Sequence, residues 1–303
     1  MKIFATALFI LAGLVTIVLW QELKFHDGKL HIVFCNVGQG DAIFIRTPNK
    51  TDILLDGGPD RKVLDCLSSH MPFWDRTLEL VLLSHPHEDH FAGLIDVLER
   101  YTVLSFATEK LSNNSASFAS FTKHLKENLV EPRYLLSGSR VKTGDGVELA
   151  LLAPTKEFLA KTSPYGEIGE SGEFGSLIVL ITYGAFSALL TSDSQASQLT
   201  QATEALLSSV SLLQVPHHGS KTGLIEDIVD SLSPKVAIIS VGKNNRYHHP
   251  NDEILRMLKD KKIKILRTDQ IGEIEVVSDG KTGTYEVVLP GAGGGGVPLL
   301  SEK

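Results

Sequence analysis

Leu82-Leu83-Ser84-His85-Pro86-His87-Glu88-Asp89-His90 is the stretch that decides how this chain is read. An apolar run delivers three imidazoles and a carboxylate in the pattern H-x-H-x-D-H, and a helix is expected from Phe91. Imidazole and carboxylate are the ligand types that suit zinc, manganese or iron. Burying them together without a cation would carry a large desolvation cost, and exposing them would leave the spacing without a reason. His85, His87, Asp89 and His90 are therefore candidate metal ligands at a strand end.

Two more segments have the same character. Ser187-Ala188-Leu189-Leu190-Thr191-Ser192-Asp193 is an apolar strand that ends in a carboxylate, and Leu212 to Ser220 is one that ends in His217 and His218. Active sites gather where strand ends and their loops converge. Three strand ends loaded with ligands therefore predict one site.

Around these segments the pattern alternates. Leu30–Cys35, Ala42–Ile45, Asp52–Leu55, Leu80–Ser84, Val147–Leu152, Leu177–Tyr183, Val236–Val241, Lys264–Arg267 and Glu273–Val277 are short, β-rich and bounded by turn residues. Helical patches fall at Phe91–Arg100, Ala116–Asn128, Gln195–Leu207 and Asn251–Lys259. Mixed in this order, they predict two sheets with helices outside. No change of composition divides the chain between 30 and 289, so residues 24–289 read as one domain. Pro154 to Gly175 is expected to be a mobile loop, and 290–303, with its glycine run, a flexible tail.

Of the 303 residues, 43% are hydrophobic, enough for a sizeable core and against global disorder. The net charge of -7 gives no long-range pull toward nucleic acid, so such a substrate needs a local basic groove or bound cations. Cys35 and Cys66 read as core residues or as one disulfide, with the unpaired core reading preferred. Ile3 to Trp20 is almost wholly apolar, about the minimum needed to cross roughly 30 Å of hydrocarbon as a helix. It lacks a small-x-small cleavage site, which favours an uncleaved anchor (residues 1–23) over a signal peptide. Lys2 ahead of the run favours a single pass through the cell membrane with the domain extracytoplasmic.

Taken together, these motifs resemble the metallo-β-lactamase superfamily and, more narrowly, the extracytoplasmic hydrolase domain of ComEC-type competence proteins. The shared residues are Asn36 to Ala42, Leu55 to Gly58, Ser84 to His90, Leu189 to Asp193, Val215 to Ser220, Ile239 to Gly242, Asn245 to Pro250, and Arg267 to Asp269 with Gly272. The resemblance implies an α+β fold, a four-layer αββα sandwich, here with one N-terminal transmembrane helix. It implies two divalent metal ions, zinc or manganese. His85 and His87 would hold one; Asp89, His90 and His217 the other; Asp193 would bridge them. His218 is expected to contact a ligand or the substrate and, with Asp89 and Asp193, to form the catalytic set. Asp41 and Asp56 would orient ligands from behind.

The chain also departs from that pattern. Many members of the superfamily carry a further histidine ligand before the strand that leads to the bridging aspartate. Pro154 to Ser176 contains none, so the first ion is expected to be weakly held or water-rich. Relatives usually have Asp at the position of Asn36, Gly at that of Ser192 and often Asn at that of Glu173.

The implied activity is a membrane-anchored phosphodiesterase or nuclease acting on phosphodiesters, with single-stranded DNA as the candidate substrate. Ser220, Asn245, Arg246 and His249 are the candidate substrate-binding residues, and a separate channel protein is a candidate partner. Two alternatives stand beside it: a hydrolase of cell-envelope phosphodiesters, and a non-catalytic surface protein that retains the fold. His248 is expected to be exposed, and His26, His31, His70 and His124 to have no catalytic part.

Overall fold

The fold is described from a computed structural model, over residues 2–169, 173–204, 206, 208–281 and 285–288. In chain order the elements are α1 (Lys2–Phe25), β1 (Leu30–Phe34), β2 (Ile43–Arg46), β3 (Asp52–Leu55), α2 (Lys62–His70), β4 (Thr77–Leu78), β5 (Leu80–Leu83), α3 (Glu88–Arg100), β6 (Thr102–Val103), β7 (Phe106–Thr108), α4 (Ala116–Glu127) and β8 (Pro132–Tyr134). Then come β9 (Arg140–Lys142), β10 (Val147–Ala153), α5 (Lys156–Thr162), β11 (Ile178–Tyr183), β12 (Phe186–Leu190), α6 (Ala196–Thr203), β13 (Leu212–Gln214), α7 (Glu226–Leu232), β14 (Val236–Ile239), α8 (Asp252–Asp260), β15 (Lys264–Arg267), α9 (Thr268–Ile271), β16 (Ile274–Ser278) and β17 (Tyr285–Val288).

Among the described residues one sheet runs β17-β16-β1-β2-β3-β5-β7-β8 and the other β15-β14-β13-β12-β11-β10-β9. Each is antiparallel over one half and parallel over the other: β3, β5, β7 and β8 in the first, β12 to β15 in the second. A strand buried on both faces has no reason to alternate polar and apolar residues. Accordingly β3, β5 and β14 are buried along their whole length.

Three apolar layers hold the sandwich. Ile32, Ile45, Leu82, Leu149, Ile181 and Leu190 lie in the layer between the sheets. Val63, Leu94, Phe91 and Phe121 pack in the layer that α2, α3 and α4 cover. Leu199, Ile228 and Leu258 pack with the second sheet under α6, α7 and α8. Two sheets inside and helices on both faces give the αββα order. Truncating one of the fully buried aromatic side chains, such as Phe91, costs about 3–5 kcal/mol in a core of this kind.

The two cysteines correct the sequence reading. Cys35, just after β1, and Cys66, on α2, form a disulfide with Cα atoms 5.7 Å apart. They are 31 residues apart in the chain, and only the packing of α2 on the first sheet brings them together. The stretch after Pro154 is also more regular than expected. Thr155 caps α5, its hydroxyl accepting from the Phe158 N–H at 3.1 Å. The glycine-rich tail, 290–303, lies outside the described residues. α1 has no buried residue and is long and apolar enough to cross a membrane.

Candidate metal centre

The parallel halves of both sheets aim their C-terminal ends at one place, and the candidate ligands sit there. β3 leads into Asp56, β5 into Ser84 to His90, β12 into Asp193, and β13 into His217 and His218. The chain turns sharply at each exit. Asp56, Ser192, His217 and His218 all have positive φ, near 61°, 47°, 51° and 56°. Side chains rarely adopt this region, and the tightly packed strand ends hold them in it. Gly93 lets α3 close on the site: a Cβ there would lie 2.1 Å from the Gly57 carbonyl oxygen.

Asp193 is the centre of the cluster. Its Oδ2 lies 3.5 Å from His90 Nε2, 3.6 Å from His217 Nε2 and 3.9 Å from His85 Nε2, and its Oδ1 lies 3.4 Å from His218 Nε2. His218 Nε2 is also 3.7 Å from Asp89 Oδ2. Ligand atoms held about 2.0–2.2 Å from one tetrahedral ion stand roughly 3.3–3.6 Å apart. Among the described residues two groups that contain Asp193 meet the condition for a shared cation, Asp89-His90-Asp193-His218 and His85-His87-Asp193, with the ligand atoms of each within 4.8 Å of one another. Within the described residues His90 Nε2, His218 Nε2 and Asp193 Oδ1 are buried and make no hydrogen bond. Buried polar atoms without partners are costly, and a divalent ion would satisfy all three. The residues therefore fit a metal.

Neighbouring groups set the imidazoles for that task. His90 Nδ1 donates to Asp56 Oδ2 at 2.9 Å, and His218 Nδ1 donates to the Ser240 carbonyl at 2.9 Å. Each bond leaves Nε2 turned to Asp193, the carboxylate–histidine or carbonyl–histidine arrangement that fixes ligand tautomer and ring angle. Asp56 is itself fixed, accepting from the Ser84 N–H and the Ser84 hydroxyl, both at 2.7 Å. Ser192 donates its hydroxyl to Ser84 Oγ at 2.6 Å. Asp41 accepts from Gln214 Nε2 at 2.9 Å, and the same glutamine's Oε1 accepts from the N–H groups of Thr191 and Ser192.

Charge follows burial and neighbours. Burial, helped by His90 and His87, holds His85 well below the usual imidazole range, so its ring is neutral, the form that can ligate a metal. Burial works against the charge of His218, yet Asp193 and Asp89 lift it to about 9. For His90 too burial opposes the proton, and Asp193 and Asp56 hold it well above the usual value. Those carboxylates reward positive charge in this cluster. A bound cation would take the place of the protons.

His218 groups with Asp89, His90 and Asp193, and His217 meets the cluster through its Nε2, 3.6 Å from Asp193 Oδ2. His217 is partly exposed, with its ring edge-on to His249 at 5.8 Å. Asn245 is a brace of its own loop: its Nδ2 donates to the carbonyls of Gly242 and His249, and its Oδ1 accepts from the N–H groups of Tyr247 and His249. Ser220 caps the turn after β13, with its N–H on the His217 carbonyl and its hydroxyl 3.1 Å from Thr222 Oγ1. Arg246 lies over the Tyr247 ring at 4.8 Å, and Tyr247 stacks on His249 at 5.8 Å. Tyr247, His249, Gln39, His87 and Glu88 wall a cleft of about 310 Å³ above Asp89, Asp193 and His218. Burial with His217 and His218 pushes His249 down to about 4, so it faces the cleft neutral. His248 is exposed, and the rings of His31, His70 and His124 face the carboxylates of Asp27 and Glu275, of Glu273, and of Glu99.

Ser84, Gln214, Ser240 and Phe174 have no individual role in the sequence reading. Phe174 matters most. Its ring stacks on His85 at 4.9 Å and meets His87 edge-on at 4.8 Å. The segment expected to lack a histidine ligand thus brings an aromatic ring against the first group. Asn36 is exposed, and Glu173 accepts from the Ser197 hydroxyl at 2.8 Å.

Comparison with known proteins agrees with this geometry. A family model described as the metallo-beta-lactamase superfamily matches residues 35–243. ComE operon protein 3 of Bacillus subtilis is 48% identical over 79 residues, 26% of this chain and 10% of that protein. Recombination protein 2 of Haemophilus influenzae is 26% identical over 265 residues, 86% of this chain and 30% of that protein. The chain therefore spans less than a third of either relative. Among solved structures, Zn(2+)-bound PqqB from Methylobacterium extorquens superposes with a TM-score of 0.52 at 13% identity, over 78% of this chain and 97% of that one, a likeness of fold.

Proposed function

Because the chain belongs to the metallo-β-lactamase superfamily, we propose that it is a membrane-anchored, two-metal phosphodiesterase that cleaves single-stranded nucleic acid. The observation that carries the reading is the position of Asp193, a buried carboxylate at one strand end within 3.9 Å of four imidazoles from two others. In this account His85, His87 and Asp193 hold one ion, and Asp89, His90, His218 and Asp193 the other. Nitrogen and oxygen ligands without thiolate suit zinc or manganese. When bound, the ions supply a nucleophilic water at neutral pH and offset the charge that builds at phosphorus.

The chain's own residues do the rest. Asp56 and Ser240 hold the rings of His90 and His218 so that ligand spacing survives substrate binding. Arg246 supplies a cation for a phosphate, and the Tyr247 face a platform for a base. Neutral His249 accepts a hydrogen bond at the cleft wall. A net charge of -7 suits a flexible single strand, which can bend one phosphate into the cleft, better than the dense charge of a duplex. The similarity to competence proteins supports a setting in DNA uptake, with a channel protein as partner. α1 supports membrane anchoring, and the Cys35–Cys66 disulfide supports an extracytoplasmic domain, since such bonds persist in oxidising compartments. The acidic balance also favours a second reading, cleavage of envelope phosphodiesters.

The test offers the full chain in detergent, loaded with manganese or zinc, a labelled single strand, its duplex and a glycerol-phosphate polymer. Single strands should be cut faster than the duplex. Asp89→Ala and His90→Ala should abolish turnover, whereas Arg246→Ala should raise KM with kcat nearly unchanged. A metallated protein that cuts the polymer and no nucleic acid would move the function to the second reading.

A further inference from the structure

The end of α1 is fastened to the domain. Glu22 pairs with Lys50, between β2 and β3. The Phe73 N–H donates to Gln21 Oε1 at 3.2 Å, Arg46 Nη1 donates to the Phe25 carbonyl at 3.5 Å, and His31 Nε2 meets Asp27 Oδ1 at 2.8 Å. The second of these contacts places the turn Pro72–Asp75, closed by the Asp75 N–H on the Pro72 carbonyl at 2.9 Å, beside the point where the apolar run of α1 stops. Phe73 and Trp74 occupy the two central positions of that turn. They are 60% and 42% exposed and pack edge-to-face on each other at 4.8 Å. Turn tips in water favour Gly, Asn, Asp and Ser, whereas aromatic rings gather where hydrocarbon meets headgroups. Ile3 to Trp20 rises about 27 Å as a helix, close to the hydrocarbon thickness, which sets Gln21 at headgroup depth. Phe73 is one hydrogen bond away from Gln21.

We propose that the Pro72–Asp75 turn is a second membrane contact, with Phe73 and Trp74 inserted in the interfacial layer of the bilayer that α1 crosses. The inference rests on reading α1 as a membrane anchor. It has a consequence for the site. Asp52 opens β3 and Leu80 opens β5, so Lys50 and Trp74 lie toward the N-terminal ends of these parallel strands, while Asp56 and His85 follow their C-terminal ends. Docked through α1 and this turn, the domain lies against lipid with its metal cleft at the far end of the sheets, open to a polymer outside the membrane.

The sequence contains two tryptophans, Trp20 and Trp74, and this allows a direct test. The full-length variants Trp20→Phe and Trp74→Phe, each with a single tryptophan, are reconstituted in phosphatidylcholine vesicles. Some vesicles carry lipids brominated at shallow or deep acyl positions, and iodide is added from the aqueous side. In the Trp20→Phe protein the emission of Trp74 should be quenched by shallow bromines more than by deep ones, and shielded from iodide. If Trp74 is open to iodide and untouched by bromine, while the remaining tryptophan of Trp74→Phe is quenched by bromine, the second contact is wrong and the anchor stands. If neither tryptophan is quenched by bromine, the anchor reading fails and takes this inference with it.

Discussion

Phe174 lies against one of the two groups that would hold the proposed ions. The His85-His87-Asp193 group has two imidazoles and a shared carboxylate, and the Phe174 ring lies against both imidazoles. The other group has four protein ligands. The two positions should therefore differ in affinity, the first being the weaker. Phe174→His would offer the first group a further imidazole. We expect the chelator concentration that strips the weaker ion to rise about tenfold or more, read by competition with a chromophoric chelator. An unchanged midpoint would mean that this ring does not stand at a ligand position. The sequence made these candidate ligands legible because three imidazoles and a carboxylate in six residues have no cheaper explanation. It did not separate His217 from His218, since adjacent residues at a strand end differ only in which way the backbone turns. The proposed choice of His218 rests on the Ser240 carbonyl, which takes the His218 Nδ1–H from a different strand exit.

At the scale of elements, the parallel halves of the sheets were readable as apolar runs ending in ligands. α2, α7 and the short strands β7, β8 and β9 were not, because short segments stabilised by packing carry little periodicity of their own. α2 is held in addition by Cys66 to Cys35, a link that closes 31 residues of chain. A loop of that length gives a stabilisation of about 3–4 kcal/mol in the chain-entropy picture. Replacing both cysteines with serine should lower unfolding stability by roughly that amount in denaturant titration. No change would mean that the bond does not form in the isolated protein. A second tie joins β1, β16 and the segment after α1. Burial disfavours the His31 charge, but Asp27 and Glu275 each take one ring N–H and lift the pKa from 6.5 to about 9. A folded-state pKa above the unfolded one stabilises fully below the unfolded value and fades as pH rises through the folded value. His31→Gln should therefore destabilise by about 1–3 kcal/mol at acidic to neutral pH. The difference should shrink above pH 9, where the wild-type ring is neutral too. A pH-independent difference would assign the effect to packing alone.

For the whole molecule, both sheets and their three apolar layers bring strand ends from opposite sheets onto one carboxylate. His85, His87, Asp89 and His90 come from the first sheet, and Asp193 and His218 from the second. A cation shared through Asp193 would join the two halves of the sandwich. The measurement that bears most directly on this account is calorimetric titration of the metal-free full chain with manganese, beside Asp193→Ala. The wild type should take up two ions per chain, one tightly and one weakly, and Asp193→Ala should lose both binding events while keeping its circular dichroism. Two undiminished events in Asp193→Ala would contradict the claim that this carboxylate holds the site together.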